Sequence, residues 1–311
     1  MQPIDQAFLD AVPRLTPGID SDVDPSVLLG IFEAQLVSRH ADLAARALGA
    51  AGQGFYSIGS AGHESNAAVA AALRPTDPAL VHYRSGAFYA ARAQQVDGVD
   101  PLRDILLGVV AAAEDPISGG RHKVFGRREL AVIPKTSTIA SHLPRALGVA
   151  LAIPHAAKLG VPSEWPRDAL SFASMGDASI NHSTAVGAIN AALNLSYRGV
   201  PLPLLLVCED NGIGISTPTP EGWVERTYAS RPGLRYVHVD GQDVEAVYRA
   251  SRELAEWVRE RRRPALLHLD TVRFLGHAGA DVESAYRSPA AIAADLPRDP
   301  IVHTAARLVA R

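Results

Sequence analysis

The sequence predicts an α/β protein built on a mainly parallel β-sheet with helices on both faces. Two observations carry this. Four short, mostly apolar runs, ALSF (169–172), LPLLLVCE (202–209), RYVHVD (235–240) and ALLHLDTV (265–272), have the length and composition of strands buried in a sheet. Longer alanine-rich segments of helical character, roughly 140–158, 181–198 and 243–262, precede or separate them. Strand–helix–strand alternation is the pattern of crossover units, which make neighbouring strands parallel.

Residues 1–27 read as an N-terminal arm punctuated by Pro13 and Pro17, and 28–311 as one domain. Asp24-Pro25-Ser26 opens an apolar-periodic run (Leu28, Leu29, Ile31, Phe32, Leu36) that suits an amphipathic helix. The basic run Arg259 to Arg263 closes the last helical segment before Pro264, where cations complement a helix C-terminus. The final stretch, DPIVHTAARLVAR, is helical in pattern and ends without a cap, as though cut from something longer. No internal repeat or low-complexity tract is visible.

Apolar residues make up 47% of the chain and charged residues 20%, an ordinary balance for a soluble globular protein. A formal net charge of -3 offers no basic footprint for nucleic acid. No run reaches the ~18 consecutive apolar residues of a membrane span. The lone cysteine, Cys208, permits no internal disulfide and reads as a buried strand residue. The N-terminus shows neither a basic n-region nor an apolar h-region. The expectation is a cytoplasmic protein with no nucleic-acid or membrane partner.

The chemistry concentrates where two of these strands end. Ser171 to Met175 leads into Gly176-Asp177-Ala178-Ser179, a helical segment follows, and the next strand ends in Asp210-Asn211-Gly212. Adjacent parallel strands would deliver an acid and an amide to the carboxyl edge of the sheet, where open α/β sheets bind ligands. The Asp177 carboxylate, the Asn211 amide oxygen and the Ile213 backbone carbonyl are hard donors of the kind magnesium prefers, with phosphate oxygens completing its shell. Small residues after Asp177 let backbone approach a diphosphate, and the N-terminus of the following helix would point positive charge at it. Taken singly, Gly-Asp and Asn-Gly are turn signatures. Their separation by one strand–helix–strand unit gives the pair its weight.

That pair resembles the thiamine diphosphate motif, Gly-Asp-Gly followed one such unit later by Asn. Here Asp177 and Asn211 lie 34 apart, a little long, and SYRGVPLP (196–203) reads as the loop that absorbs the excess. Four further segments resemble the alpha subunits of branched-chain 2-oxo acid and pyruvate dehydrogenases, in the family's order. These are FYSIGSAGHESNAAVAAAL (55–73), HYRSGAFYAAR (82–92), KTSTIASHLPRALGVALA (135–152) and RFLGHAGADVESAYRSP (273–289). The resemblance covers about 28–311 and implies a thiamine-diphosphate-binding fold with thiamine diphosphate and Mg2+ as cofactors. It implies oxidative decarboxylation of a 2-oxo acid, branched-chain favoured, with acyl transfer to a lipoyl domain. It assigns Tyr83 and Arg84 to the diphosphate, Ser137 and the Ile139 backbone to the aminopyrimidine, and Gly176, Asp177, Ala178, Ser179 and Asn211 to the anchor. His277 becomes the catalytic histidine beside the cofactor, and Tyr286-Arg287 organises its loop. The implied partners are a beta subunit, or a fused C-terminal half, and a lipoylated acyltransferase, within a heterotetramer. In the family the glutamate that activates the cofactor comes from the beta part, so this chain is expected to be incomplete alone. GDASINHSTA with CEDNGIGISTPTPEGW looks most like bacterial forms in which both halves share one chain.

The chain also departs from the pattern. Ala178 replaces the motif's second glycine. Glu209 stands where branched-chain relatives carry an arginine near the diphosphate, and is expected to turn away from it. Ala278 occupies the place of the serine phosphorylated in animal relatives, so that control is expected to be missing. His63 and His122 receive no role. Other readings are an acetoin dehydrogenase, a transketolase-like thiamine enzyme, or an assembly domain that kept the fold without catalysis; the GHAGADVESAYR loop favours the dehydrogenases.

Overall fold

A computed structural model describes residues 3–15, 22–55, 58–121, 124–135 and 138–309. In chain order its main elements are α1 (Pro3–Ala11), α2 (Pro25–Ala50), α3 (Asn66–Ala72), β1 (Ala79–Leu80), α4 (Gly86–Ala93), α5 (Pro101–Val109) and α6 (His142–Leu159). There follow β2 (Ser171–Gly176), α7 (Asp177–Ile180), α8 (Ser183–Tyr197), β3 (Leu204–Asp210), β4 (Ile213–Gly214) and β5 (Thr217–Pro218). The last are α9 (Trp223–Tyr228), β6 (Arg235–Asp240), α10 (Val244–Arg261), β7 (Ala265–Asp270), α11 (Pro289–Asp295) and α12 (Pro300–Val309).

Five strands form one all-parallel sheet in the order β1-β2-β3-β7-β6. Because side chains alternate along a strand, the sheet feeds two cores. Leu205, Val207, Leu267 and Leu269 pack on one face against α2, α3, α4 and α10, through residues such as Ile31, Val69, Phe88 and Leu254. Leu204, Leu206, Cys208 and Leu266 pack on the other against α6 and α8, through Leu143, Ala146 and Ile189. The expected helix-covered parallel sheet is the one observed. Cys208 is a free, buried thiol in β3. No described helix is long and apolar enough to cross a membrane.

Two expected elements shift, each for a physical reason. The strand expected at 169–172 runs instead from Ser171 to Gly176. Its serines do not end it, because Ser171 Oγ donates to Ala146 O at 2.9 Å and Ser174 Oγ accepts from His82 N at 2.8 Å. The helix expected over 181–198 begins at Ser183, where the His182 ring accepts from Thr184 N. Ahead of it stands a separate single turn, α7. In the stretch expected to be an arm, α1 buries Ile4 against Ala61, Val272, Phe274 and Leu275, while Asp24 caps α2 through Ser26 N at 2.8 Å.

One turn needs its glycine. Gly62 has φ 98°, and a Cβ there would lie 2.0 Å from Val272 O, just beyond the end of β7. Gly62→Ala combines a left-handed backbone with a clash against main chain. It should destabilise the fold by about 3 kcal/mol or more. Chemical denaturation of the variant checks this; a midpoint within error of wild type would show that the turn can shift.

Candidate active site

The carboxyl ends of β2 and β3 are adjacent, with Gly176 paired to Glu209, so Asp177 and Asn211 follow from neighbouring strands. Asp177 is 2% exposed, and its carboxylate accepts from the Thr219 hydroxyl and from the Asn211 backbone amide. Burial pushes its pKa up, with Asp210 adding repulsion. A buried acid whose partners are a hydroxyl and an amide, both uncharged, fits a site for a hard cation. Asn211 directs its side-chain oxygen at Ile213 N (3.1 Å), which brings the third expected donor residue to the same corner. Ser179, two residues on in the same turn, is also buried.

The expected helix N-terminus contributes little here. α7 is a single four-residue turn with few aligned peptide dipoles, so anchoring falls to side chains. Ala178 is accommodated by a specific neighbour. A Cβ on Gly214, in the hairpin that folds back over α7, would lie 2.4 Å from the Ala178 methyl. The glycine absent at 178 is present at 214, and the chain still closes.

Opposite this corner lies a cationic cradle. Arg84 is 2% exposed, donates through Nη1 to Gly59 O and through Nη2 to His277 O (2.9 Å), and stands 3.3 Å from His277 Nδ1. The structure thus joins two residues that the sequence places 193 positions apart. Tyr83 meets the His277 ring edge-on at 6.0 Å and lies beneath both the Arg84 guanidinium and Lys135 Nζ (5.4 Å). His277 N donates to Asp281 Oδ2 (2.6 Å), Tyr286 OH donates to the same oxygen, and Arg273 Nη2 donates to Tyr286 OH (2.7 Å). Arg287 closes the loop through Glu283 (2.8 Å) and Asp295. Burial first, then Arg84 and Arg273, lowers the His277 pKa to about 4, so its imidazole is neutral at physiological pH.

Two buried histidines lie against this edge, one facing the anchor and one behind it, and the sequence alone assigns neither a function. His82, immediately before Tyr83, is 3% exposed, and both its ring nitrogens lack a protein partner. Its Nε2 would lie 3.6 Å from a Cβ on Gly176, so the ring faces the start of the anchor. Burial, with His63, Lys135 and Arg84 nearby, holds its pKa well below the ordinary histidine value. A neutral imidazole with an unsatisfied N–H, set among cations, fits an anion's oxygens. Its position within HYRSGAFYAAR was the available signal. His63 Nδ1 lies 2.7 Å from Glu209 Oε2, and its Nε2 lies 3.0 Å from Asn211 Nδ2. Glu209 is therefore directed into the protein toward α3, where Asn66 also donates to it at 3.3 Å.

Ile139 lies in the turn before α6 and is 38% exposed. That helix is tied to the end of β2 by His142 Nε2, which donates to Ser174 O at 2.8 Å. Ser137 and His122 lie outside the described residues. Burial lowers the His142 pKa to about 4. The unfolded chain takes up this proton near pH 6.5 and the folded chain only near 4, so stability should fall as pH drops through that window. The full shift corresponds to about 3 kcal/mol. Melting temperatures of wild type and His142→Gln between pH 7 and ~4.5 test it. An equal pH slope in the two proteins would remove His142 as the source.

The family model described as Dehydrogenase E1 component matches residues 33–311. The chain is 28% identical over 238 residues to 2-oxoisovalerate dehydrogenase subunit alpha, mitochondrial, of Mus musculus, an alignment covering 75% of this chain and 49% of that one. It is 27% identical over 281 residues to 2-oxoisovalerate dehydrogenase subunit alpha of Bacillus subtilis (strain 168), covering 88% and 78% respectively. It spans about half the length of the mouse relative (49%) and of the Caenorhabditis elegans one (51%). Among solved structures, a transketolase from Leishmania mexicana superposes with a TM-score of 0.55 at 16% identity, covering 88% of this chain and 44% of that one. That likeness concerns the fold alone.

Proposed function

Because this chain belongs to the dehydrogenase E1 component family, over residues 33–311, we propose that it is the alpha part of a thiamine-diphosphate- and Mg2+-dependent 2-oxo acid dehydrogenase. One observation carries the reading furthest. A buried acid at Asp177 and the Arg84–His277 pair flank the partnerless imidazole of His82, so a cation corner and an anion cradle share one sheet edge. Asp177, the Asn211 oxygen and the Ile213 carbonyl would hold the magnesium. Arg84, His82 and Tyr83, with backbone from Gly176 to Ser179, would hold the diphosphate, and Ser137 and Ile139 the aminopyrimidine.

Bound thiamine diphosphate would supply the electron sink for loss of carbon dioxide. The chain's own part is placement and proton control. Arg84 Nη2 can only donate, so His277 Nδ1 accepts and the proton resides on Nε2. From there His277 would donate to a substrate or lipoyl group entering beside the cofactor. Asp281 and Tyr286 fix the loop that carries it.

Branched-chain 2-oxo acids are favoured because the alpha subunits named above act, by their names, on 2-oxoisovalerate. The partners would be a beta subunit or fused C-terminal half, in a heterotetramer, and a lipoylated acyltransferase. Exposed apolar side chains on loops of the site, Ile139, Ile215 and Val282, are consistent with a covering partner.

Assaying the assembled enzyme with a panel of 2-oxo acids tests the reading. Faster turnover of 3-methyl-2-oxobutanoate than of pyruvate is expected, and turnover of acetoin alone would replace it with another thiamine chemistry. In the same preparation, Asp177→Ala should weaken magnesium-dependent binding of thiamine diphosphate at least tenfold, about 1.4 kcal/mol. Calorimetry giving unchanged affinity would remove the anchor assignment.

A further inference from the structure

Asn211 can serve a cation only with one end of its amide. The oxygen is a ligand, whereas the NH2 group repels positive charge. The two ends differ little in shape, so something must select between them. Here the selection is made by two buried residues outside the proposed ligand set. Glu209 and His63 are both 0% exposed.

Glu209 as a carboxylate can only accept hydrogen bonds. Its Oε2, 2.7 Å from His63 Nδ1, therefore places the imidazole proton on Nδ1. His63 Nε2 then carries a lone pair, which faces Asn211 Nδ2 at 3.0 Å and accepts from it. The amide nitrogen is drawn toward His63 and the oxygen is left pointing the other way. There Oδ1 accepts from Ile213 N at 3.1 Å, so both ends of the amide agree on one orientation. A flipped amide would set a donor against the Ile213 N–H and an acceptor against the Nε2 lone pair.

The histidine is itself held rigidly. Asp42 Oδ2 accepts from Ser60 N (2.6 Å) and Ala61 N (2.8 Å). Glu64 accepts from Gly62 N (2.6 Å) and from Arg39 Nε (2.7 Å), and Arg39 reaches on to Asp299. The turn that carries His63 is thus bonded on both sides of it.

We infer that Glu209 and His63 are positioning residues, a relay that sets the polarity of the Asn211 amide and so presents its oxygen to the metal. The inference rests on the magnesium reading given above. It also explains how this chain can carry an acid at position 209. Glu209 Oε2 is engaged by His63 and Asn66, while Oε1 is buried without a protein partner.

The test is a magnesium titration of the assembled enzyme, by calorimetry with thiamine diphosphate present, alongside steady-state kinetics. His63→Met fills the space without a comparable acceptor. It should raise the magnesium dissociation constant about tenfold, while kcat at saturating magnesium stays within about twofold of wild type. His63→Gln, whose side-chain oxygen can accept from Asn211, should recover most of the affinity. A role confined to structure would lower thermal stability in both variants without this split. Wild-type magnesium affinity in His63→Met, or a fall in kcat with affinity unchanged, would overturn the relay. Should His63→Met not accumulate as folded enzyme, Glu209→Gln decides. A carboxamide can donate as well as accept, which frees both tautomers of His63, so magnesium affinity should drop twofold or more; unchanged affinity rejects the relay. Asp177→Ala separates the two readings. If it leaves magnesium affinity intact, the metal site itself is misplaced; if it weakens binding while the His63 and Glu209 variants do not, only the relay fails.

Discussion

Supplied with magnesium, thiamine diphosphate and 3-methyl-2-oxobutanoate, this chain alone should release carbon dioxide at least a thousandfold more slowly than when joined to the proposed beta half. The carboxylates at this sheet edge already hold hydrogen-bond partners, although Glu209 Oε1 is buried without one. Asp177 is bonded to Thr219 and the Asn211 amide, Glu209 to His63 and Asn66, Asp210 to His268 and Gly212 N, and Asp281 to the His277 backbone and Tyr286. On the proposed reading the acid that activates the cofactor ring would come from the beta half, as the family resemblance implies. Loss of one acid/base group costs about 10²–10⁴ in rate. The upper part of that range is expected, because on that reading the beta half would also cover the pyrimidine end of the cofactor. The measurement is carbon dioxide release by the chain with and without the beta half. Equal rates would place the activating acid within these 311 residues.

His277→Ala in the complete enzyme should lower turnover by roughly a hundredfold or more, the scale of a lost proton donor. The side chain is neutral, with its pKa lowered to about 4, and Arg84 fixes which nitrogen carries the proton. Removing it deletes a group presented in one protonation state, while Asp177 and Asn211 are untouched, so magnesium retention should persist. His277→Gln, which still offers an N–H, should retain more activity than the alanine variant. The discriminating assay is acylation of a lipoyl domain. A wild-type rate in His277→Ala would assign the chemistry to another residue.

The sheet was legible because its strands are short apolar runs bounded by turn residues. RYVHVD, between Gly233-Leu234 and Gly241, was read with its observed limits. Ala173 to Gly176 fell outside the expected strand because Ser174 interrupts the apolar run, yet a polar residue ends a strand only when unsatisfied. Ser174 here bonds to His82 N, supplied by a segment 92 residues away. The site divides the same way. Asp177, Asn211, Arg84 and His277 stand inside segments with a recognisable pattern. His63 and His82 lie in matched segments too, but their roles depend on burial against Glu209, Asn211 and Gly176, which the segments alone do not reveal. The compensation of Ala178 by Gly214 is equally invisible before the hairpin closes.

The strand order also bears on how the chain reaches this structure. β2 and β3 pair residues 33 apart (Ser171 with Leu204) across α7 and α8, and β6 and β7 pair residues 30 apart (Arg235 with Ala265) across α10. β1 meets β2 only across 93 residues (Ala79 with Phe172). Loop-closure entropy grows with that separation, and non-local pairings form late. Folding should therefore begin in the two crossover units, with edge strand β1 docking afterwards. Asp177 and Asn211 belong wholly to the first unit, whereas His82, Tyr83 and Arg84 arrive with β1. The metal corner would be assembled before the anion cradle exists, and a ligand that needs both can stabilise only the finished sheet.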